Sequence, residues 1–183
     1  MTKSKTLVRK MKLVLLALLA TGTMQAHATD PMPALKSSVY AKAGGWTITR
    51  YADASKKTAF CETIRIVASE KALRFTSDKK AFTMAFMGNA SAVVDGEIPV
   101  SVWFDGDKKS GFQEQFSLSI DGEQTYWRTL TEPNDEPGGV SDSAMNRSSV
   151  SFGYNFENER ITETFALTGT NAALKKLFEC GLN

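Results

Sequence analysis

The chain has 183 residues, with 22 Lys and Arg against 20 Asp and Glu, one histidine and two cysteines. Five of those cations and none of the carboxylates fall in the first 28 residues, so the remainder carries 17 against 20, a net charge of −3. A weakly acidic remainder excludes nucleic-acid binding through massed Lys and Arg. With His27 the only histidine, residues 29–183 cannot build a Ser-His-Asp or Cys-His site or a histidine-ligated metal centre.

At the start, Lys3, Lys5, Arg9, Lys10 and Lys12 precede an apolar run from Leu13 to Ala20, and Ala26-His27-Ala28 places small residues at cleavage positions. That order is a secretory signal peptide, residues 1–28, cut after Ala28. The run is too short to cross a bilayer and has no successor, so no membrane span is expected. No cysteine follows it, which argues against a lipoprotein. Export predicts a periplasmic or secreted protein in an oxidising compartment.

Residues 29–44 contain Pro31 and Pro33 without apolar periodicity and read as a flexible N-terminal segment ahead of a single β-rich domain, 45–183. Trp46 and Ile48 then alternate with polar neighbours. Phe60, Ile64 and Ile66 alternate with Cys61, Thr63 and Arg65, which puts Cys61 on the face opposite Ile64. Short strands follow around Leu73–Phe75 and Phe82–Phe86. In the row Ile98, Val100, Val102, Phe104, the intervening Pro99 points to an edge or strand start.

Beyond a loop at 105–111, Phe112, Phe116, Leu118 and Ile120 alternate with Gln113, Gln115, Ser117 and Ser119. Asp121-Gly122 is the dipeptide of a two-residue type I′ turn, which pairs Ile120 with Glu123, Phe116 with Trp127 and Gln115 with Arg128. This register lays Tyr126 and Arg128 on the polar face, with Trp103 beside them if its strand pairs with the one starting at Phe112. Aromatic and Arg side chains on rigid strands are the usual material of recognition surfaces, so Trp103, Tyr126 and Arg128 form the candidate binding surface. The competing reading is a plain solvated sheet face.

Residues 132–148, with Pro133, Pro137, Gly138, Gly139 and the acids Asp135, Glu136 and Asp142, read as a mobile acidic loop; they lack the spacing of a calcium loop. Val150, Phe152, Tyr154 and Phe156 form the next strand, and Ile161, Phe165 and Leu167 the last. Glu114 interrupts an apolar row, but no second carboxylate has a defined position opposite it, and a rim or ion-paired carboxylate is the simpler reading. Asn89-Ala-Ser91 and Asn146-Arg-Ser148 fit the weak glycosylation pattern. No phosphate loop, nucleotide motif, cofactor site or catalytic constellation is present, and a non-catalytic protein is expected.

The chain ends in a short helix. Thr170 suits its N-cap, Gly181 a left-handed stop, and Ala173, Leu174, Leu177, Phe178 and Cys180 share one face. So short a helix needs packing and a tether. Cys61 and Cys180, paired as a structural disulfide, supply it, leaving a redox or intermolecular thiol as the alternative. Closing so long a loop removes roughly 4 to 5 kcal/mol of unfolded-state freedom in a chain-entropy treatment. The predicted fold is all-β: an antiparallel sandwich or open barrel of about eight strands with one short disulfide-clasped C-terminal helix.

An export signal, the Gly45-Trp46-Thr-Ile48 opening strand, an early Cys61 and the closing segment Leu167-Thr-Gly-Thr170-Asn-Ala-Ala-Leu174-Lys-Lys-Leu177-Phe-Glu-Cys180 resemble the small periplasmic proteins of the invasion-associated locus B family. The likeness covers the two ends of the mature chain. It implies a β-rich bacterial envelope protein that binds a protein or surface ligand in host-cell association, with structural roles for Trp46, Cys61 and Cys180 and no catalytic residues to carry over. A periplasmic inhibitor or immunity-type protein that blocks a toxin or hydrolase is the second reading.

Overall fold

The computed structural model describes residues 34–68, 71–88, 96–121, 125–134, 138–156 and 158–183. The expected signal peptide, Asn89 and Gly122 lie outside them. The described strands are β1 (Lys36–Ala43), β2 (Trp46–Ala52), β3 (Thr58–Ala68), β4 (Lys71–Ser77), β5 (Ala81–Met87), β6 (Ile98–Phe104), β7 (Phe112–Asp121), β8 (Thr125–Pro133), β9 (Ser149–Phe156) and β10 (Glu159–Ala166). Two helices accompany them, α1 (Val140–Asn146) and α2 (Thr170–Leu182). The strands form one open antiparallel sheet in the order β1-β2-β3-β4-β5-β8-β7-β6-β9-β10.

That sheet folds over on itself. Phe86 of β5 stacks on Phe152 of β9 with ring centroids 4.3 Å apart, although four strand spacings in a flat sheet would separate them by roughly 19 Å. Lys71 of β4 likewise reaches Glu163 of β10 at 2.9 Å. Between the facing halves lie Phe75, Phe82, Phe86, Phe116, Phe152 and Phe165, all essentially fully buried. Burial of aromatic and aliphatic side chains is the main driving force for the fold, each worth about 1.5–3 kcal/mol.

Helix α2 closes one side of this core. Ala173, Leu174, Leu177 and Cys180 face inward, and the Cys61–Cys180 disulfide joins α2 to β3 across 119 residues of sequence. Two details differ from the sequence reading. Gly169, with φ 77°, is the N-cap and Thr170 the first helical residue. Gly181 continues the helix and packs on β4, where a Cβ would fall 2.7 Å from the Ser77 carbonyl oxygen.

The β1–β2 and β10–α2 turns meet at the same place. The turn before β2 presses on the turn before α2, where a Cβ on Gly44 would sit 2.0 Å from Gly169 O and one on Gly169 1.8 Å from Gly44 O. Trp46 donates its indole N–H to Thr168 O at 3.0 Å. Arg65 lies 4.1 Å above the Trp46 ring and donates to Thr168 O at 3.0 Å. Disulfide, glycine contact and Trp–Arg stack together fasten the last strand and helix to β2 and β3.

Two further elements depart from expectation. Lys36–Ala43 is not a loose segment but the edge strand β1, paired with β2 across a bulge at Val39/Ala41. Nearly all of it is exposed, so it has no apolar alternation to read. Within the expected acidic loop, β8 runs on to Pro133 and α1 follows. The α1 start is capped from outside, with the Glu132 carboxylate accepting the amides of Val140 at 2.7 Å and Ser141 at 2.9 Å.

Candidate binding site

The β7–β8 hairpin decides which side chains can form a surface. Its pairs run from Ser117↔Thr129 to Leu118↔Arg128, Ser119↔Trp127, Ile120↔Tyr126 and Asp121↔Thr125. Ile120 is therefore three positions away from the partner that a two-residue turn would give it. An odd displacement exchanges the two faces of a strand, so the expectation for Tyr126 and Arg128 is corrected. Both point to the interior, with Arg128 fully buried beside Leu118 and Phe86 and donating from Nη1 to Gly96 O at 2.7 Å.

Trp127 takes the outward place. It is nonetheless buried, packed with Ala72 and Ala85 under Met87, and the Arg74 guanidinium lies 4.3 Å above its ring. Arg74 also pairs with Glu62 at 3.8 Å, and Tyr51, stacked on Phe60, donates to Glu62 at 3.1 Å. A groove of about 460 Å³ runs along Tyr51, Phe60, Glu62 and Arg74. There Glu62 and Arg74 are already paired with one another, and the neighbouring Ile66 is 73% exposed.

Trp103 does stand on the outer face predicted for it, since Ser101 of β6 pairs with Gln113 of β7. It is separated from Tyr126 and Arg128 by the thickness of the sheet. Its ring covers Gly153 of β9, where a Cβ would come within 2.8 Å of it. This accounts for its 5% exposure. Lys108 stands 5.2 Å from the ring centroid, and Arg160 donates to the Ser101 hydroxyl at 3.3 Å.

These groups surround a hollow of about 270 Å³ lined by Ser101, Trp103, Lys108, Gly111, Gln113 and Arg160. A smaller one of about 70 Å³ continues past Arg160 to Asn155. Among the described residues, neither Lys108 nor Arg160 has a carboxylate partner. Two cations without a carboxylate partner among the described residues, a hydroxyl and an amide stand around an aromatic wall, the donor set that an anionic, hydrogen-bonding ligand requires.

The loop carrying Lys108 is held in place. Asp105, in the left-handed region at φ 51°, accepts from the Ser148 amide and hydroxyl and the Ser149 amide at 2.7–3.0 Å. The Ser148 hydroxyl and then its amide hold the Asp105 carboxyl below its usual value of 3.8. Asp107 accepts from Ser110 Oγ at 2.9 Å and Lys109 N at 3.1 Å, and the Ser110 hydroxyl is the main cause of its lowered pKa. Position 111 must be glycine-sized, because a Cβ there would lie 2.8 Å from Val102 O.

The chain matches no family model, no curated protein and no solved structure.

Lys108 and Arg160 were not singled out by sequence reading, one lying in a loop and the other at the start of β10. The available signal was the Asp105-Gly106 turn, which returns the loop over the strand that carries Trp103. Glu114 is exposed, at a separate cleft between β7 and β8. Of the acidic loop, Asp142 accepts the Gly138 amide at 2.9 Å, while Asp135 and Glu136 lie outside the described residues. Among the described residues, no group of three or more His, Cys, Asp or Glu could hold a metal ion, and no helix is long and apolar enough to cross a membrane.

Proposed function

We propose that the protein is an exported, non-catalytic module of the bacterial envelope that binds an acidic protein or surface ligand, in association with a host cell, through the hollow beside Trp103. The observation that carries this reading is the pair Lys108 and Arg160, both without a carboxylate partner among the described residues and both lining one aromatic-walled hollow. The disulfide supports an extracytoplasmic setting, as does the charged, apolar and small-residue order of residues 1–28. The resemblance of the two chain ends to the invasion-associated locus B proteins supports the envelope role. Since residues 29–183 carry a net charge of −3, general attraction does not account for binding of an anion, and a local site must supply it.

Calorimetric titration of the mature protein with trigalacturonate, hexaglutamate and neutral maltotriose tests this. At least one acidic probe should bind, maltotriose should not, and the Lys108→Gln/Arg160→Gln variant should lose roughly tenfold or more in affinity, as expected for charge-assisted hydrogen bonds. Silence of both acidic probes, or equal binding by the variant, contradicts the reading.

A further inference from the structure

The hairpin of β7 and β8 opens into a fork at the level where two carboxylates would otherwise meet. The two strands pair from Asp121↔Thr125 as far as Ser117↔Thr129. Continued in the same register, Glu114 would stand directly opposite Glu132. Like charges directly opposed across an antiparallel pair are destabilising. Instead β8 continues alongside β5, β7 continues alongside β6 from Phe116 to Phe112, and Glu132 turns away to cap α1.

The fork leaves one edge of β7 open. Ser117 O accepts from the Thr129 hydroxyl and so points towards β8. Backbone groups of alternate residues point to the same edge of a strand, so the N–H and C=O of Gln115 and Gln113 point there too. Among the described residues no strand pairs with that edge. Beside it lies a cleft of about 350 Å³ whose apolar lining comes from Phe112, Leu130 and Val140. The exposed Glu114 carboxylate lines the same cleft without an ion-pair partner among the described residues.

We infer that this cleft receives an extended peptide that adds to the free edge of β7, with a Lys or Arg side chain against Glu114 and apolar side chains two residues to either side. An open strand edge supplies backbone recognition and does not select sequence, whereas inward pockets at every second residue do. Here the central inward position offers an unneutralised carboxylate, and the flanking ones offer Phe112 and Leu130. The site lies on the interior side of the fork, apart from the Trp103 hollow on the outer face, and stands independently of the ligand assigned there.

The test uses acetyl-Ser-Val-Thr-Lys-Thr-Val-Ser-amide and its Lys→Glu counterpart, titrated into the mature protein while backbone amide signals and exchange rates are followed. The Lys peptide should bind and slow exchange at Gln113 and Gln115. Glu114→Lys should reverse the preference, weakening the Lys peptide by roughly tenfold and favouring the Glu peptide. Glu114 is exposed, so this variant should keep the wild-type spectrum away from the fork; if it does not, Glu114→Gln provides the comparison and should bind both peptides alike. Failure of the Lys peptide to bind wild type, binding without protection of Gln113 and Gln115, or an unchanged preference in the charge-reversed protein would each overturn the inference.

Discussion

Arg128 and Trp103 show how differently two side chains of one predicted surface are used. Arg128 fills interior space and satisfies Gly96 O, so Arg128→Ala leaves both a cavity and an unpaired carbonyl. A loss of about 2 to 4 kcal/mol is expected in urea unfolding. Trp103→Ala removes a ring seated on Gly153 and should cost about 3 kcal/mol or more. Ile66→Ser, at a side chain 73% exposed, should change stability by no more than about 0.5 kcal/mol. Asp105 adds a pH dependence. Its folded-state pKa is depressed, first by the Ser148 hydroxyl, so its contribution is present above the ordinary Asp value and lost as pH falls through the folded one. Unfolding measured from about pH 5 to pH 2 should show a shallower acid decline in Asp105→Asn than in wild type.

At the scale of elements, the clasp makes the clearest demand. Cys61→Ala/Cys180→Ala releases the 119-residue loop and should lower stability by about 4 to 5 kcal/mol at most, read by urea unfolding of the reduced-equivalent variant. Gly169→Ala tests the same junction without chemistry, since its φ is 77° and its Cβ would strike Gly44 O. It should destabilise the protein and disturb the indole signal of Trp46. The clasp was legible in the sequence because a lone pair of cysteines and an amphipathic terminal helix are local, countable features. Alternation likewise marked the core rows of β5, β6, β7 and β9. It could not show that Phe60, Ile64 and Ile66 form the outer row of β3 while Cys61 and Thr63 turn inward, because period two locates a face without saying which partner covers it. Nor could it reveal α1, whose capping carboxylate comes from β8, or β1, an edge strand exposed along most of its length. The binding surface failed at one point, the β7–β8 register, which differs from the expected one by an odd number of residues and turns Tyr126 and Arg128 to the interior face.

For the molecule as a whole, the folded-over sheet and its clasp hold two strand-borne features apart: the cationic hollow outside β6–β7–β9 and the fork beside α1. Rigidity matters here because a preformed site loses little conformational freedom on binding. The hollow brings two cations without a carboxylate partner among the described residues to one aromatic wall, and residue-resolved titration of the mature protein with trigalacturonate or hexaglutamate reads it most directly. Saturable shifts centred on Ser101, the Trp103 indole, Gly111, Gln113 and Gly153, lost in Lys108→Gln/Arg160→Gln, are the predicted result. Shifts confined to other faces, or none with either acid, would contradict the assignment of this hollow as the binding site.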